Sequence, residues 1–296
     1  MRILVTGGTV FVSLNTAAYF AGRGHQVTVL NRGSRPQMEG VEHICQDRLD
    51  EGLTLPAFDA ILDVTPYTQE DIDALLNALP DAPCYIMVSS SAVYPETNVQ
   101  PFHEAQPVGP NAYWGAYGTN KIAAEQCLLE RVPHAYIVRP PYLYGPWNVL
   151  HREAFAFECA EKDRPFYLPG DGSMPLQFFH VRDLCRLMER ILLEQPEQHI
   201  FNTGNPESVT IREWVTLCYA AAGKEPRFVE VDPSVPQRSY FPFHAYAYQL
   251  DVTRQQALLP ELTPLAEGLG ESYEWYREHR DLVCRKPMLE FIDQSL

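Results

Sequence analysis

Short apolar runs and amphipathic stretches alternate along the first half of the chain. Residues 3–6 form an apolar run that ends in glycines, and residues 11–23 repeat apolar positions with helical spacing before Gly24. Residues 26–30 and 60–64 are further apolar runs, followed by a helical pattern over 69–79. Apolar runs over 85–89 and 135–138 flank a long helical stretch that reaches Arg131. Runs without polar alternation read as strands buried on both faces. Their interleaving with helices predicts a parallel sheet covered on each side. Right-handed crossovers make this a doubly wound α/β fold.

The pattern changes after Pro140. Proline and aromatic residues become frequent, most densely in residues 238–248, and helical patterns recur over 155–162, 181–193, 211–222 and 265–279. A sheet domain over residues 1–150 and a smaller, mainly helical lobe over 151–296 are expected, with some lobe segments returning to the main sheet. A chain of 296 residues suits one large domain, or one with an appendage.

Charge narrows the partners. A net charge of -15 argues against nucleic acid, which calls for clustered Lys and Arg. It leaves room for a small anion held by backbone amides. The seven cysteines at 45, 84, 127, 159, 185, 218 and 284 form no Cys-x-x-Cys pair, and no histidine cluster has ligand spacing. They read as reduced thiols in a cytoplasmic protein without a metal centre. No targeting pattern opens the sequence and no long apolar run exists, so no membrane partner is expected.

Two turns carry candidate binding chemistry. Thr6-Gly7-Gly8-Thr9-Val10-Phe11-Val12-Ser13 links the first strand to the first helix, where backbone N–H groups suit a pyrophosphate. A full dinucleotide fingerprint wants three glycines, and Val10 and Ser13 stand where the second and third belong. The second strand ends at Asn31-Arg32-Gly33-Ser34-Arg35, without the carboxylate that binds a ribose diol. Arg32 and Arg35 suit a 2′-phosphate, although a solvated basic loop explains them equally. The balance falls slightly toward NADP over NAD.

Tyr117 and Lys121 are spaced i, i+4 near the start of a helix and so share a face. A neighbouring ammonium favours the phenolate and makes the phenol a usable acid or base. Alone, this spacing is common on helix surfaces.

Taken together, these motifs resemble the extended short-chain dehydrogenase/reductases, the NAD(P)-dependent epimerase/dehydratase family, and especially its atypical members with a GGTxF turn. The resemblance runs through Thr6–Thr9, the strand Met87-Val-Ser-Ser-Ser-Ala-Val-Tyr94 and the Tyr117–Lys121 pair. It continues through Arg139-Pro-Pro-Tyr-Leu-Tyr-Gly-Pro146, Phe179-His-Val-Arg-Asp-Leu184, Phe201-Asn-Thr-Gly-Asn205 and Ser272-Tyr-Glu-Trp-Tyr276. It implies a Rossmann sheet that binds NAD or NADP. It implies catalysis by Tyr117 as proton-transfer group, Lys121 as its neighbour and ribose ligand, and Ser90, with Ser91 next best, as hydrogen-bond partner of the substrate. Gly7, Gly8, Thr9, Val10, Phe11 and Val12 would line the pyrophosphate turn, with Asn31 and Arg32 beyond it. Asp47 and Arg48 would meet the adenine, residues 63–66, including Val64, would line the cleft, and Pro140 and Tyr142 would flank the nicotinamide. Ser91, Trp114, Tyr142, Trp147, His151 and Gln177 would line the substrate pocket, each with a packing role as the competing explanation.

One departure bears on the substrate. The family's GDGxxxR stretch, whose arginine binds a sugar-nucleotide diphosphate, reads Gly170-Asp-Gly-Ser-Met-Pro-Leu176 here. The resemblance implies an oxidoreductase or epimerase/dehydratase acting on a hydroxyl or carbonyl of a small polar, sugar-like molecule. A non-catalytic NAD(P)-binding regulatory protein is the alternative. Homodimers form in the family through the Tyr-Lys helix and the helix before it. Here Ile122, Leu128 and Leu129 offer apolar surface that core packing explains as well.

Overall fold

The computed structural model describes residues 1–296. Six strands follow one another in the first half: β1 (Arg2–Thr6), β2 (Gln26–Asn31), β3 (Glu42–Cys45), β4 (Ala60–Asp63), β5 (Tyr85–Val88) and β6 (Tyr136–Arg139). A seventh strand, Ile200–Asn202, adds to the edge beyond β6. The sheet order is Ile200–Asn202, β6, β5, β4, β1, β2, β3, and every pairing is parallel. The order reverses between β1 and β4, which is where open α/β sheets bind ligands at their carboxyl ends.

The apolar runs become strands because both sheet faces are covered. Ile3, Leu4, Val5, Ile61, Leu62, Ile86 and Met87 have no solvent exposure. The strand over Glu42–Cys45 had no apolar signal. It lies at the sheet edge, half-exposed, where polar side chains are tolerated.

Three helices position the site: α1 (Phe11–Gly22), α2 (Gln69–Ala78) and α3 (Ala116–Arg131). Helix α2 opens with a capping box, in which the Thr68 hydroxyl accepts from the Asp71 amide and Asp71 accepts from the Thr68 amide. Helix α1 differs. Its N-cap, Val10, offers no side-chain acceptor to the free amides of the first turn.

The chain separates into two compact units. One comprises residues 1–141, 181–204 and 250–262; the other comprises 142–180, 205–249 and 263–296. Helix Val181–Glu194 and strand Ile200–Asn202 thus belong with the sheet. The second unit holds three two-stranded sheets: Tyr142–Tyr144 with Phe178–His180, Phe166–Pro169 with Phe228–Val231, and Pro175–Leu176 with Val209–Thr210. Its helices Glu153–Glu161, Ile211–Ala221 and Leu265–Glu278 pack on one another. The aromatic density of residues 238–248 serves this core, where Phe243 meets Trp214 at 5.2 Å and Tyr142 at 4.6 Å between ring centroids.

Candidate cofactor and proton-transfer site

The glycine turn is shaped by backbone geometry. Gly8 has φ +92°, and a Cβ there would sit 2.5 Å from Val29 Cγ1, so no other residue fits. The Asn31 side chain donates to Gly7 O at 2.6 Å and accepts from Gly33 N at 2.9 Å. It thereby fastens the end of β2 to the turn after β1. Thr6 Oγ1 donates to Asp63 at 2.6 Å and accepts from the amides of Val64 and Thr65 at 2.9 and 3.1 Å. The same hydroxyl therefore ties β1 to the end of β4.

A cleft of about 440 Å³ opens on these strand ends, lined by Gly7, Thr9, Val10, Asn31, Arg32 and Arg48 among others. The uncapped amides of α1 begin at its edge, since Val10 is both N-cap and cleft wall. A capping side chain would occupy the seat that a phosphate oxygen needs. Ser13 is buried and turns its hydroxyl to Val10 O at 3.0 Å, so the residue in place of the third glycine is absorbed by its own helix. Phe11, the first residue of α1, is buried with φ +34°, and Val12 is half-buried behind it.

Arg32 is 75% exposed at the rim and lies 3.8 Å from Asp47. Arg48 has a different setting. Its guanidinium is buried and donates to Asp63 Oδ1 at 3.1 Å and to Thr65 Oγ1 at 2.8 Å. Asp63 also receives the Tyr85 hydroxyl at 2.6 Å. Arg48 thus reaches the cleft from within a satisfied network, a detail its sequence position did not reveal.

Helix α3 brings Tyr117 and Lys121 to the ends of β4 and β5. Gly118 makes the approach possible: a Cβ there would lie 2.4 Å from the Ala92 carbonyl. Ala92 belongs to the short turn Ser91–Val93, capped by the Ser90 hydroxyl, which accepts from the Ala92 amide at 3.2 Å. Ser90 is half-buried and Ser91 buried, its amide bonded to Pro140 O at 2.9 Å. Lys121 is 2% exposed and donates to Pro66 O at 2.7 Å and Val88 O at 2.9 Å. Burial pushes its pKa down to about 8, partly offset by the charges of Asp63 and Glu125. The ammonium lies 6.0 Å from the Tyr117 ring centroid and 5.3 Å from that of Tyr67. Tyr117 is 41% exposed and Tyr67 56%. Tyr67 lines the cleft, and sequence reasoning passed over it because it lies in a loop without periodicity.

Beneath this surface lies a buried polar chain. Ser89 donates to Glu125, which pairs with Arg139 through Nη2 at 2.5 Å and Nε at 3.0 Å. Arg139 also donates to the Tyr94 hydroxyl at 2.8 Å, which donates to Asn202 at 2.8 Å. Glu125 stands one turn beyond Lys121, so α3 anchors its buried acid and its buried base on the same face.

The remaining expected residues divide between the units. Trp114, half-exposed, precedes α3 in the sheet unit. Tyr142, Trp147, His151 and Gln177 belong to the second. Tyr142 is buried among Phe178, Phe243 and Tyr248. Trp147 packs on Trp275 and His279. His151 bonds Glu158 at 3.1 Å and accepts from the Lys286 amide at 3.0 Å, and Gln177 donates to Asn205 O at 2.8 Å. All seven cysteines are free thiols, no group of metal-ligating side chains gathers, and no helix is long and apolar enough to cross a membrane.

Residues 68–204 match the model of the NAD dependent epimerase/dehydratase family. The chain is 29% identical to the chloroplast stem-loop binding protein of 41 kDa b of Arabidopsis thaliana, covering 92% of this chain and 78% of that protein. It is 26% identical to a dTDP-4-dehydro-6-deoxy-D-allose reductase of Streptomyces bikiniensis, covering 94% and 96% of the two chains. Among solved structures, MoeE5 in complex with UDP-glucuronic acid and NAD superposes with TM-score 0.74 at 20% identity, over 94% of this chain and 99% of that one. WbmH of Bordetella bronchiseptica in complex with NAD+ gives TM-score 0.75 at 17% identity, over 94% and 99%. At those identities the two structures speak for the fold. The sheet order and the superpositions show the fold of these enzymes, and the match to the NAD dependent epimerase/dehydratase family model is carried by residues 68–204.

Proposed function

We propose that the protein is an NAD(P)-dependent oxidoreductase or epimerase/dehydratase acting on a hydroxyl or carbonyl of a small, sugar-like molecule. The observation that carries this reading is the buried ammonium of Lys121 beside the Tyr117 ring, at the strand ends where the glycine turn opens its cleft. The residues present fit a dinucleotide. The uncapped amides of α1 suit its pyrophosphate, Gly7, Gly8, Thr9 and Val10 form the turn, and Arg48 and Asp47 line the far wall. A bound nicotinamide supplies a hydride donor or acceptor. Tyr117 then moves the proton at the substrate oxygen, Ser90 donates a hydrogen bond to that oxygen, and Lys121 favours the phenolate. The relatives named as sugar-nucleotide reductases and dehydratases support a sugar-like substrate.

NADP is favoured over NAD. Arg32, Ser34 and Arg35 line the cleft at the end of β2, where guanidinium groups suit a 2′-phosphate. Free thiols throughout support a cytosolic setting. The homodimer rests on Ile122 and Leu129, which are half-buried on α3, whereas Leu128 is fully buried and belongs to the core.

Cofactor-reduction assays across sugar nucleotides and alcohols test the reading. Tyr117→Phe lowers turnover by ~10²–10⁴-fold, the usual contribution of a positioned acid–base. Equal turnover in the two proteins removes Tyr117 from the mechanism. A second reading, a non-catalytic NAD(P)-binding regulator, draws on the relative named as a stem-loop binding protein. It also draws on the two carbonyls that already occupy Lys121. Calorimetry with NAD, NADH, NADP and NADPH that finds tight binding without turnover would favour it.

A further inference from the structure

Tyr67 presents a large aromatic ring, more than half exposed, on the wall of the cleft. No motif in the sequence marked it. The backbone that carries the ring is tied on both sides. The Tyr67 amide donates to Asp71 Oδ2 at 2.8 Å, beside the capping box of α2. Pro66 restricts the chain before it. Thr65 Oγ1 donates to Thr6 Oγ1 at 3.1 Å and accepts from Arg48 at 2.8 Å. A side chain at position 67 is therefore delivered to one place, the end of β4.

The same loop meets Lys121 twice. Pro66 O accepts from the buried ammonium at 2.7 Å, and the ring of the next residue lies 5.3 Å from it, centroid to nitrogen. Val88 O accepts a second hydrogen at 2.9 Å. The Tyr117 ring, at 6.0 Å, stands at the outer limit of a cation–π contact, so Tyr67 is the nearer aromatic face. The charged groups around the nitrogen largely cancel. Asp63 on β4 and Glu125 on α3 favour the ammonium, but each already carries a guanidinium, Arg48 at 3.1 Å and Arg139 at 3.0 Å. Asp71 on α2 favours it too and lies 4.0 Å from Arg48, which opposes it. Burial is the largest influence and pushes the lysine down to about 8. With the ions paired off, two carbonyls and the aromatic faces are the support that remains. A ring face holds a desolvated ammonium more strongly than a hydrated one.

We infer that Tyr67 is a positioning residue, whose ring holds the Lys121 ammonium charged beside Tyr117 and so sets how far toward alkaline pH the phenol keeps its cationic neighbour. The ring does this and the hydroxyl does not, since the contact runs from the nitrogen to the ring. An aliphatic side chain of similar size would cover the lysine without offering a negative face. Loss of the ring therefore favours the neutral amine, and the proton leaves at lower pH. The inference deepens the proposed function and rests on it for the role of Tyr117 alone. The coupling of Tyr67 to Lys121 holds whether or not the protein turns over a substrate.

The chain has only four lysines, at 121, 162, 224 and 286, so a direct titration is practical. Carbon-13 NMR of the full chain, labelled at the lysine ε-carbons and titrated through the alkaline range, reads Lys121 once Lys121→Met assigns its signal. Tyr67→Leu should lower the Lys121 midpoint by about 0.5–1 pH unit, the equivalent of one cation–π contact. Tyr67→Phe keeps the ring and should leave the midpoint in place. Position 67 is more than half exposed, so neither substitution opens the core. In cofactor-reduction assays the alkaline fall of turnover should move with the midpoint in Tyr67→Leu. A Leu variant whose lysine titrates at or above the wild-type midpoint overturns the inference. So does a Phe variant that shifts as far as Leu, or an alkaline fall that stays in place while the midpoint moves. If the midpoint moves as expected and wild type turns over no substrate, the proposed function falls and the coupling of Tyr67 to Lys121 stands.

Discussion

The arginines of the two units are treated in opposite ways. In the sheet unit, Arg48 and Arg139 are buried and bonded, to Asp63 and Thr65 and to Glu125 and Tyr94. In the second unit, Arg152 and Arg238 rest near aromatic rings without a carboxylate. A buried, fully bonded pair fixes a geometry and adds little net stability against an apolar substitute. The first pair holds the strand ends under the Tyr117–Lys121 helix; the second makes no ion pair.

The contrast breaks most visibly at Arg139. Arg139→Leu leaves the Glu125 carboxylate buried without its partner, at a cost of about 3–5 kcal/mol by chemical denaturation. Adding Glu125→Leu should recover much of that loss. If the single substitution is nearly neutral, Arg139 is not the framework element described above. Arg152→Gln, with no bonded partner to orphan, should leave the unfolding midpoint close to wild type.

Lys121 gives a pH signature. Its pKa in the fold is about 8, against about 10.4 in an unfolded chain, so between those values the unfolded state binds more protons. Stability therefore rises as pH climbs through this window, and the rise is absent in Lys121→Met. Turnover should fall across the same window, because the neutral amine no longer favours the Tyr117 phenolate. A flat activity profile above pH 8 would separate Lys121 from the chemistry.

Glu158 provides the opposite sign in the second unit. The His151 hydrogen bond, helped by Lys162, lowers its pKa to about 2. The stability it contributes is present above the unfolded carboxylate value of about 4.3 and is lost as pH falls from there toward 2. Glu158→Gln should flatten acid unfolding in that interval. The smallest effect belongs to Arg32, 75% exposed. Arg32→Ala should leave stability unchanged and weaken NADPH by about tenfold while sparing NADH. Equal losses for both would assign the rim to NAD and NADP alike.

Much of the fold was legible because its signals are local. Apolar runs such as 3–6 and 85–88 read as buried strands without knowledge of their neighbours, and β1 followed by Gly7 and Gly8 announced the glycine turn. The edge strand Glu42–Cys45 was silent, since an edge position imposes no apolar pattern. Tyr117 and Lys121 were legible through helical spacing. The need for Gly118 was not, because it arises from the Ala92 carbonyl of another segment. His151 and Gln177, named as pocket candidates, sit in hydrogen bonds to Glu158 and Asn205 that no local pattern announces.

The sequence by itself determined the alternation of strand and helix, the glycine turn and the Tyr117–Lys121 spacing, because each depends on residues close together along the chain. Only the tertiary structure decided which charges are satisfied. Arg48 meets Asp63 and Arg139 meets Glu125 through crossovers, while Arg152 rests on the Tyr142 and Phe243 rings without an ion pair. Pairing depends on the position of both partners, and composition reports only their number.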